Sequence, residues 1–206
     1  MIYLASRSPR RLELLRQIGI EPRLLLDEDE ARAEALEAVQ PGESPTTYVE
    51  RVTRAKAAAA RARLQALAST DAHHWPLLPL LAADTTVAIG GTILGKPADA
   101  DDARRILGAL SGRSHRVLTS VVVISASGRK QWQRTQVSRV RFMRLRAADI
   151  EAYVASGEAF GKAGAYGIQG AAARFVRKID GSYSGIMGLP LHESALLLHK
   201  AGWRPA

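Results

Sequence analysis

The order of strand-like and helix-like segments constrains the fold of this chain more than any other feature. Strand-like segments sometimes follow one another directly and are sometimes separated by helical patterns, and no internal repeat is present. Irregular alternation of this kind is typical of an α/β fold with a mixed sheet. The patterns predict helices over 9–18, 45–68, 99–110, 147–156 and 190–202, and strands over 2–4, 78–89, 92–97, 117–124 and 174–179, with two more strands before residue 146.

The chain is strongly basic. Lys and Arg number 29 against 20 Asp and Glu, which gives a formal net charge of +9. Such a balance favours either nucleic acid or a small polyanionic substrate as a partner. Aromatic residues make up only 5% of the chain, too few for a base-stacking platform. In 137–146, Arg139 and Arg141 alternate with Val140 and Phe142, the pattern of a strand with a buried face and a solvated basic face. Nucleic acid is therefore not the expected partner.

Several absences place the chain in a broad class. It has no cysteine, so disulfides and thiolate metal sites are excluded and a reducing compartment fits. Its first apolar run is short and is followed directly by charged residues, unlike a secretory signal. No apolar run is long enough to span a bilayer. We expect a cytoplasmic protein without membrane contact, with residues 1–206 in a single domain of two lobes.

The first helix begins at an unusual place for two cations. Ser8 is a suitable N-cap and Pro9 suits the first helical position, while Gly19 is placed to end the helix. Arg10 and Arg11 then fall in the first turn, where positive charge opposes the helix dipole. Either a bound anion removes this conflict, or both arginines point to solvent.

Lys56 is the second unusual cation. On a helical wheel it falls in the middle of the apolar face that Val49, Val52 and Ala60 form. The side chain either extends past its neighbours to solvent, which is common for a lone lysine, or reaches an anion inside a cleft.

Asp84 and Lys96 form a third group. A two-residue turn at Gly90-Gly91 pairs Ile89 with Thr92, and continuing that register brings Asp84 beside Lys96 at the open end of a hairpin. The two residues form either an ordinary cross-strand ion pair or part of a phosphate site near a strand end.

These features together indicate a polyphosphate site with a divalent metal ion. Cations from separate segments suit phosphate oxygens, and carboxylates suit Mg²⁺ or Mn²⁺. The Walker pattern of P-loop proteins is absent, as is any zinc-type spacing of His and Cys.

Eight stretches resemble the Maf family of nucleoside triphosphate pyrophosphatases and cover nearly the whole chain in order. They are LASRSPRRLELL, ERVTRAKA, AADTTV, ILGKP, LSGRSHRV, GKAGAYGIQG, KIDGSYSGIMGLPL and the helix that follows. The resemblance implies a Maf/ITPase-like α/β fold, with a mixed twisted sheet flanked by helices and two lobes around a central cleft. It also implies a homodimer and hydrolysis of a nucleoside triphosphate to the monophosphate and pyrophosphate.

By the same resemblance, Asp84 would be the catalytic base and a metal ligand. The acidic loop would supply a second carboxylate for the metal or the water, either Glu30 or Glu28. The residues that would bind phosphates are Ser6, Arg11, Lys56 and Lys96.

The GAYGIQG stretch is similar to the branch of the family that acts on dTTP and UTP. Arg10, Thr85 and Gln169 fall on positions linked to that substrate choice. Two other hypotheses stay open: a pyrophosphatase for another nucleotide, such as 7-methyl-GTP, and a nucleic-acid-binding regulator of septum formation without catalysis.

Overall fold

A computed structural model describes residues 1–27, 29, 31 and 35–204 of the protein. The strands are β1 Tyr3–Leu4, β2 Arg23–Leu24, β3 Leu80–Ile89, β4 Thr92–Leu94, β5 Ser114–Ile124, β6 Gln131–Phe142 and β7 Val176–Asp180. The α-helices are α1 Pro9–Gln17, α2 Pro45–Thr70, α3 Ala100–Leu110, α4 Ala147–Ala155, α5 Tyr183–Met187 and α6 Leu191–Lys200. Two short 3₁₀ helices, Ala163–Ala165 and Ala171–Phe175, lie in the glycine-rich segment.

The seven strands of the described residues belong to one mixed sheet, which confirms the predicted class. The order is β2-β1-β3-β5-β6-β7, and β4 pairs with β3 beside that path. β1 runs parallel to both β2 and β3, whereas the other pairs are antiparallel. The division of residues 1–206 into two lobes of one domain stays a prediction.

One edge of β3 is paired with other strands only at its two ends. β1 pairs with it at Leu80 and Leu81, and β4 pairs with it from Val87 onward. Within the described residues, no strand pairs with 82–86 of β3 on that side. We call this uncovered stretch the β3 slot.

Helices cover both faces of the sheet. The long helix α2 packs on one face through apolar residues such as Val49, Val52 and Leu64, which are fully buried. The other face contacts α1 and α6 at one end of the strands, and α3, α4 and the glycine-rich segment at the other. Each fully buried Val or Leu contributes about 1.5–3 kcal/mol relative to exposure, so both faces of the sheet are firmly held.

Most predicted elements form, and the differences have physical reasons. Residues 131–142 are one strand rather than two, because the long β5 supplies a continuous partner. Ser8 does precede the first helix, but its side chain makes no capping hydrogen bond. The short helix α5 was not predicted, and the side chain of Ser182 caps it by accepting from the Gly185 amide.

The hairpin follows its predicted register in part, and the basic strand follows its predicted alternation. Ile89 pairs with Thr92 as expected, but the ladder ends at the pair of Val87 and Leu94 and does not extend to Lys96. In β6, Val140 and Phe142 are buried while Arg139 and Arg141 are exposed, which confirms the predicted alternation.

His115 lies buried in an aromatic cluster on β5. Its Nε2 is 2.8 Å from the hydroxyl oxygen of Tyr166, and the Phe142 ring packs edge-on against it at 5.0 Å between ring centroids. Burial lowers the pKa of His115 to about 4. The neutral imidazole therefore links β5 to the glycine-rich segment that carries Tyr166.

We predict that His115 makes the stability of the fold depend on pH. In the unfolded chain a histidine has a pKa of about 6.5, so between that value and about 4 the unfolded state binds more protons. Stability should therefore fall as the pH drops through this window, by up to about 3 kcal/mol from this group. Urea unfolding at pH 7.5 and 4.5 measures the change.

His115→Gln should remove this contribution, so that its free energy of unfolding changes less with pH than that of the wild type. His73→Gln, at an exposed position, is the matched control and should retain the wild-type dependence. An unchanged dependence in His115→Gln would contradict the assignment.

Candidate active site

A cavity of about 500 Å³ opens at the β3 slot, beside the carboxyl ends of β1 and β2. Ligands commonly bind α/β proteins at the carboxyl ends of parallel strands, and the volume is that of a ligand pocket. Every described residue predicted for the site lines this cavity: Ser6, Arg10, Arg11, Lys56, Asp84, Thr85, Lys96 and Gln169. Glu30 and its alternative Glu28 lie outside the described residues.

Asp84 is placed by the middle of β3. It is opposite Ser120 of β5, and its carboxylate faces α2, with only 9% of the side chain exposed. Lys56 Nζ donates to Asp84 Oδ1 at 2.6 Å. The next residue, Thr85, points to the other face of the sheet, and both residues border the cavity because the β3 slot leaves the strand edge open.

Lys56 does not extend to bulk solvent. Its side chain is 19% exposed, and its ammonium also donates to Glu37 Oε1 at 2.6 Å. The lysine therefore lies between two carboxylates inside a cleft, which is the second of the two expectations for it.

Glu37 is an acidic-loop carboxylate that lines the cavity beside Lys56 and Lys96. It accepts hydrogen bonds from Lys56 and, at 2.9 Å, from Lys96. Burial acts to raise the pKa of Glu37, but the charges and hydrogen bonds of both lysines outweigh it and hold the pKa below its usual value. No sequence pattern singles out Glu37, because several acidic residues share a segment without periodicity. The phenolic Tyr48 donates to the backbone carbonyl of Glu37 at 3.0 Å and helps to fix the loop.

Arg11 turns inward from the first turn of α1. Its guanidinium donates to the Gly188 carbonyl at 2.8 Å, to Ser6 Oγ at 3.0 Å and to Thr85 Oγ1 at 3.3 Å. Burial lowers the pKa of Arg11, and the negative charge of Asp84 partly opposes this. The solvent-facing alternative is thus excluded for Arg11, which connects α1, β3 and the turn before α6.

The cavity has an apolar end near the glycine-rich segment. The segment lies close against β3, because a methyl group added at Gly164 would lie 2.8 Å from the Val87 side chain. Gly164 also donates its amide to the Gly95 carbonyl at 3.0 Å. The apolar residues that line this end are Val87, Val117, Tyr166, Ile168 and Ile186, with Gln169 and Lys162 beside them.

The cavity is also lined by charged residues that no sequence pattern singles out. Arg7 donates to the backbone carbonyl of Asp27, and the carboxylate of Asp27 is 3.4 Å from the guanidinium of Arg63. Among the described residues, seven cationic and three acidic side chains line the whole cavity. This excess of positive charge suits a polyanion.

The Maf-like protein family model matches residues 1–201. The chain belongs to the Maf family. The dTTP/UTP pyrophosphatase of Cupriavidus pinatubonensis is 57% identical over 98% of this chain and 98% of its own length. The dTTP/UTP pyrophosphatase of Ralstonia nicotianae is 59% identical over 97% of this chain and 93% of its own.

A solved structure of a nucleoside-triphosphatase / dITP/XTP pyrophosphatase from Mycobacterium abscessus is a weaker match. It is 19% identical, covers 71% of this chain and 76% of its own, and has a TM-score of 0.41. In the described part of this Maf-family chain, no helix is both long and apolar enough to cross a bilayer.

We predict that Lys56→Met destabilises the protein in a pH-dependent way. Removing the ammonium leaves two partly buried carboxylates side by side, which should cost about 3–5 kcal/mol at neutral pH. In the wild type, the lysines keep the pKa of Glu37 low, so this stability is fully present above the usual glutamate pKa and is lost as the pH falls from there through the lowered pKa of Glu37. Urea unfolding from pH 7 to pH 4 should show the two proteins becoming more alike.

Gln65→Met, at an exposed position of the same helix, is the matched control and should change stability little at any pH. A loss in Lys56→Met that is equally large at pH 4 would indicate a packing defect rather than the loss of a counter-charge.

Proposed function

We propose that this protein is a nucleoside triphosphate pyrophosphatase that hydrolyses dTTP and UTP to the nucleoside monophosphate and pyrophosphate. The observation that carries the proposal is that one cavity holds Asp84, Lys56 and Glu37 together with a group of apolar residues and an excess of cationic side chains. A nucleotide needs both environments, one for its base and one for its phosphates. The dTTP/UTP pyrophosphatase names of the two relatives support the same assignment.

Asp84 is the proposed general base. Its carboxylate would orient a water molecule and accept its proton as the water oxygen attacks the α-phosphorus. The bond from that phosphorus to the bridging oxygen then breaks, and pyrophosphate leaves with the electron pair. The hydrogen bond from Lys56 holds the carboxylate in a fixed orientation and leaves its other oxygen for the water.

Ser6, Arg11, Lys56 and Lys96 are the proposed phosphate ligands. Arg11 is rigidly held by three hydrogen bonds, so it offers fixed positive charge to the developing negative charge. Lys56 and Lys96 share Glu37 as a counter-ion. A triphosphate would compete with Glu37 for both ammonium groups and free its carboxylate.

A divalent ion fits this donor set. Asp84 and Glu37 supply hard oxygen ligands 2.6 Å from the same ammonium, so the two carboxylates are close together. No cluster of three metal-ligating side chains occurs among the described residues. Phosphate oxygens and water would supply further ligands. When bound, Mg²⁺ or Mn²⁺ would neutralise phosphate charge and stabilise the leaving pyrophosphate. We therefore propose Glu37 as a metal ligand beside Asp84; Glu30 and its alternative Glu28, which the resemblance implies for this role, lie outside the described residues.

Substrate choice is proposed to depend on Arg10, Thr85 and Gln169. Gln169 lies at the apolar end and carries an amide that both donates and accepts, as a pyrimidine edge requires. Thr85 Oγ1 is 2.9 Å from Thr119 Oγ1 and accepts a hydrogen bond from Arg11. Thr85 therefore holds the guanidinium of Arg11 in a fixed position relative to β3 and β5.

A panel of nucleoside triphosphates with pyrophosphate detection tests the function. We expect turnover of dTTP and UTP that EDTA abolishes, and much slower turnover of purine nucleotides and 7-methyl-GTP. Turnover of 7-methyl-GTP above that of dTTP and UTP would contradict the substrate assignment, and absence of any turnover would contradict the enzyme.

Asp84→Asn should lower kcat for UTP by at least about 100-fold, because an amide cannot accept the proton. Its melting temperature should stay near that of the wild type, since the amide oxygen still accepts from Lys56. Asp180→Asn, at an exposed position near the end of β7, is the matched control and should keep wild-type turnover. Retained activity in Asp84→Asn would reject the base assignment.

A further inference from the structure

Lys162 lines the apolar end of the cavity and has no role in the function proposed above. It immediately precedes the 3₁₀ helix Ala163–Ala165, and its Nζ donates to the Glu158 carbonyl at 2.6 Å and, weakly, to the Phe160 carbonyl at 3.5 Å. In the part of the chain that the structure describes, no carboxylate lies within ion-pair distance of it. An ammonium has three donors, so at least one N–H is available to a ligand.

Gly167 brings Lys162 and Gln169 together. A methyl group built on Gly167 would lie 3.2 Å from Lys162 Cε and 3.7 Å from Gln169 Oε1. Both side chains therefore pass the bare face of this glycine and end in the same region of the cavity. Any larger residue at 167 would push at least one of them away.

The two side chains together present a specific set of hydrogen-bonding groups. An ammonium only donates, whereas a carboxamide donates from one end and accepts at the other. Uracil and thymine present an acceptor at O4, a donor at N3 and an acceptor at O2. Cytosine presents a donor amino group at position 4 and an acceptor at N3.

We propose that Lys162 is a specificity-determining residue that donates to the O4 carbonyl of a uracil or thymine base, and that it disfavours cytosine by facing its amino group with a second donor. The proposal rests on the proposed function, because it names how the same site distinguishes its substrates. Gln169 would accept from N3–H and donate to O2. A buried donor facing another donor loses a hydrogen bond, which makes rejection of the wrong base effective.

A phosphate ligand is the competing role for Lys162. Burial lowers its pKa, and the positive charge of Arg10 adds to that effect while Glu158 opposes it. Arg10 lines the same cavity, so an anion shared by the two cations is the alternative. The apolar surroundings favour the base instead, since Val117, Tyr166 and Ile168 line the same end of the cavity.

The test compares Lys162→Met with the wild type on three substrates: UTP, CTP and methyl triphosphate, which has no base. We expect kcat/KM for UTP to fall about 30-fold, whereas kcat/KM for CTP and methyl triphosphate should change less than about twofold. Lys130→Met, at an exposed turn position, is the matched control and should leave all three values unchanged.

Lys162→Gln gives a second and opposite readout. Its amide can turn to accept from the amino group of cytosine, so turnover of CTP should rise and the UTP/CTP ratio of kcat/KM should fall at least about tenfold. A rise cannot result from misfolding, so this variant keeps the test decisive if Lys162→Met is unstable.

Two outcomes would overturn the proposal while the proposed function stands. The first is a UTP/CTP ratio within about twofold of wild type in both variants. The second is an equal loss on methyl triphosphate in Lys162→Met, which would assign the lysine to phosphate. A wild-type protein that turns over neither UTP nor dTTP would instead refute the proposed function.

Discussion

The contact of one ammonium group with two carboxylates is the interaction on which the site depends. Lys56 donates to Asp84 and Glu37 at 2.6 Å each, and a second lysine, Lys96, holds Glu37 from the other side. Two carboxylates so close together repel each other strongly in a partly desolvated cleft, and only a cation between them makes the arrangement stable. The same contact connects three separate parts of the chain: the acidic loop, the helix α2 and the strand β3.

The rigidity of this contact follows from the packing of its supports. α2 is fixed by a fully buried apolar face, and β3 is hydrogen-bonded to β5 along nine consecutive residue pairs. The described residues of the acidic loop belong to no strand of the sheet. The carboxylate of Glu37 is held by the two lysines, while Tyr48 and Arg51 donate to the backbone carbonyls of Glu37 and Ala38. A polyanion entering the cavity would therefore act on the least supported member of the group.

Local patterns in the sequence were sufficient for those site residues that belong to regular elements. Arg11 stood out against the helix dipole, Lys56 against an apolar helix face and Asp84 against an apolar strand, and all three line one cavity. Glu37 could not be found in this way, because its segment has neither helical nor strand periodicity. Lys162 was also missed, since a single lysine between glycines has no local signal and its environment is created by the fold around it.

The fold shows the same division. The mixed sheet, the long α2 and the position of the Gly90-Gly91 turn were predictable, because each depends on neighbours in sequence. The length of the β3–β4 ladder was not predictable. The chain leaves β3 after Leu94 and places Lys96 at the cavity, and no local pattern marks that point. The single strand over 131–142 was also not predictable, because β5 determines how far its partner stays extended.

The shortness of β1 has a consequence for how such a site can arise or be lost. Only two residues of β1 pair with β3, and the chain then turns away toward α1. If β1 were two residues longer, its main chain would extend into the β3 slot between Asp84 and Arg11. The site would then be blocked although all of its side chains were still present. Insertions and deletions in the first eight residues should therefore be more damaging than many substitutions in the cavity wall.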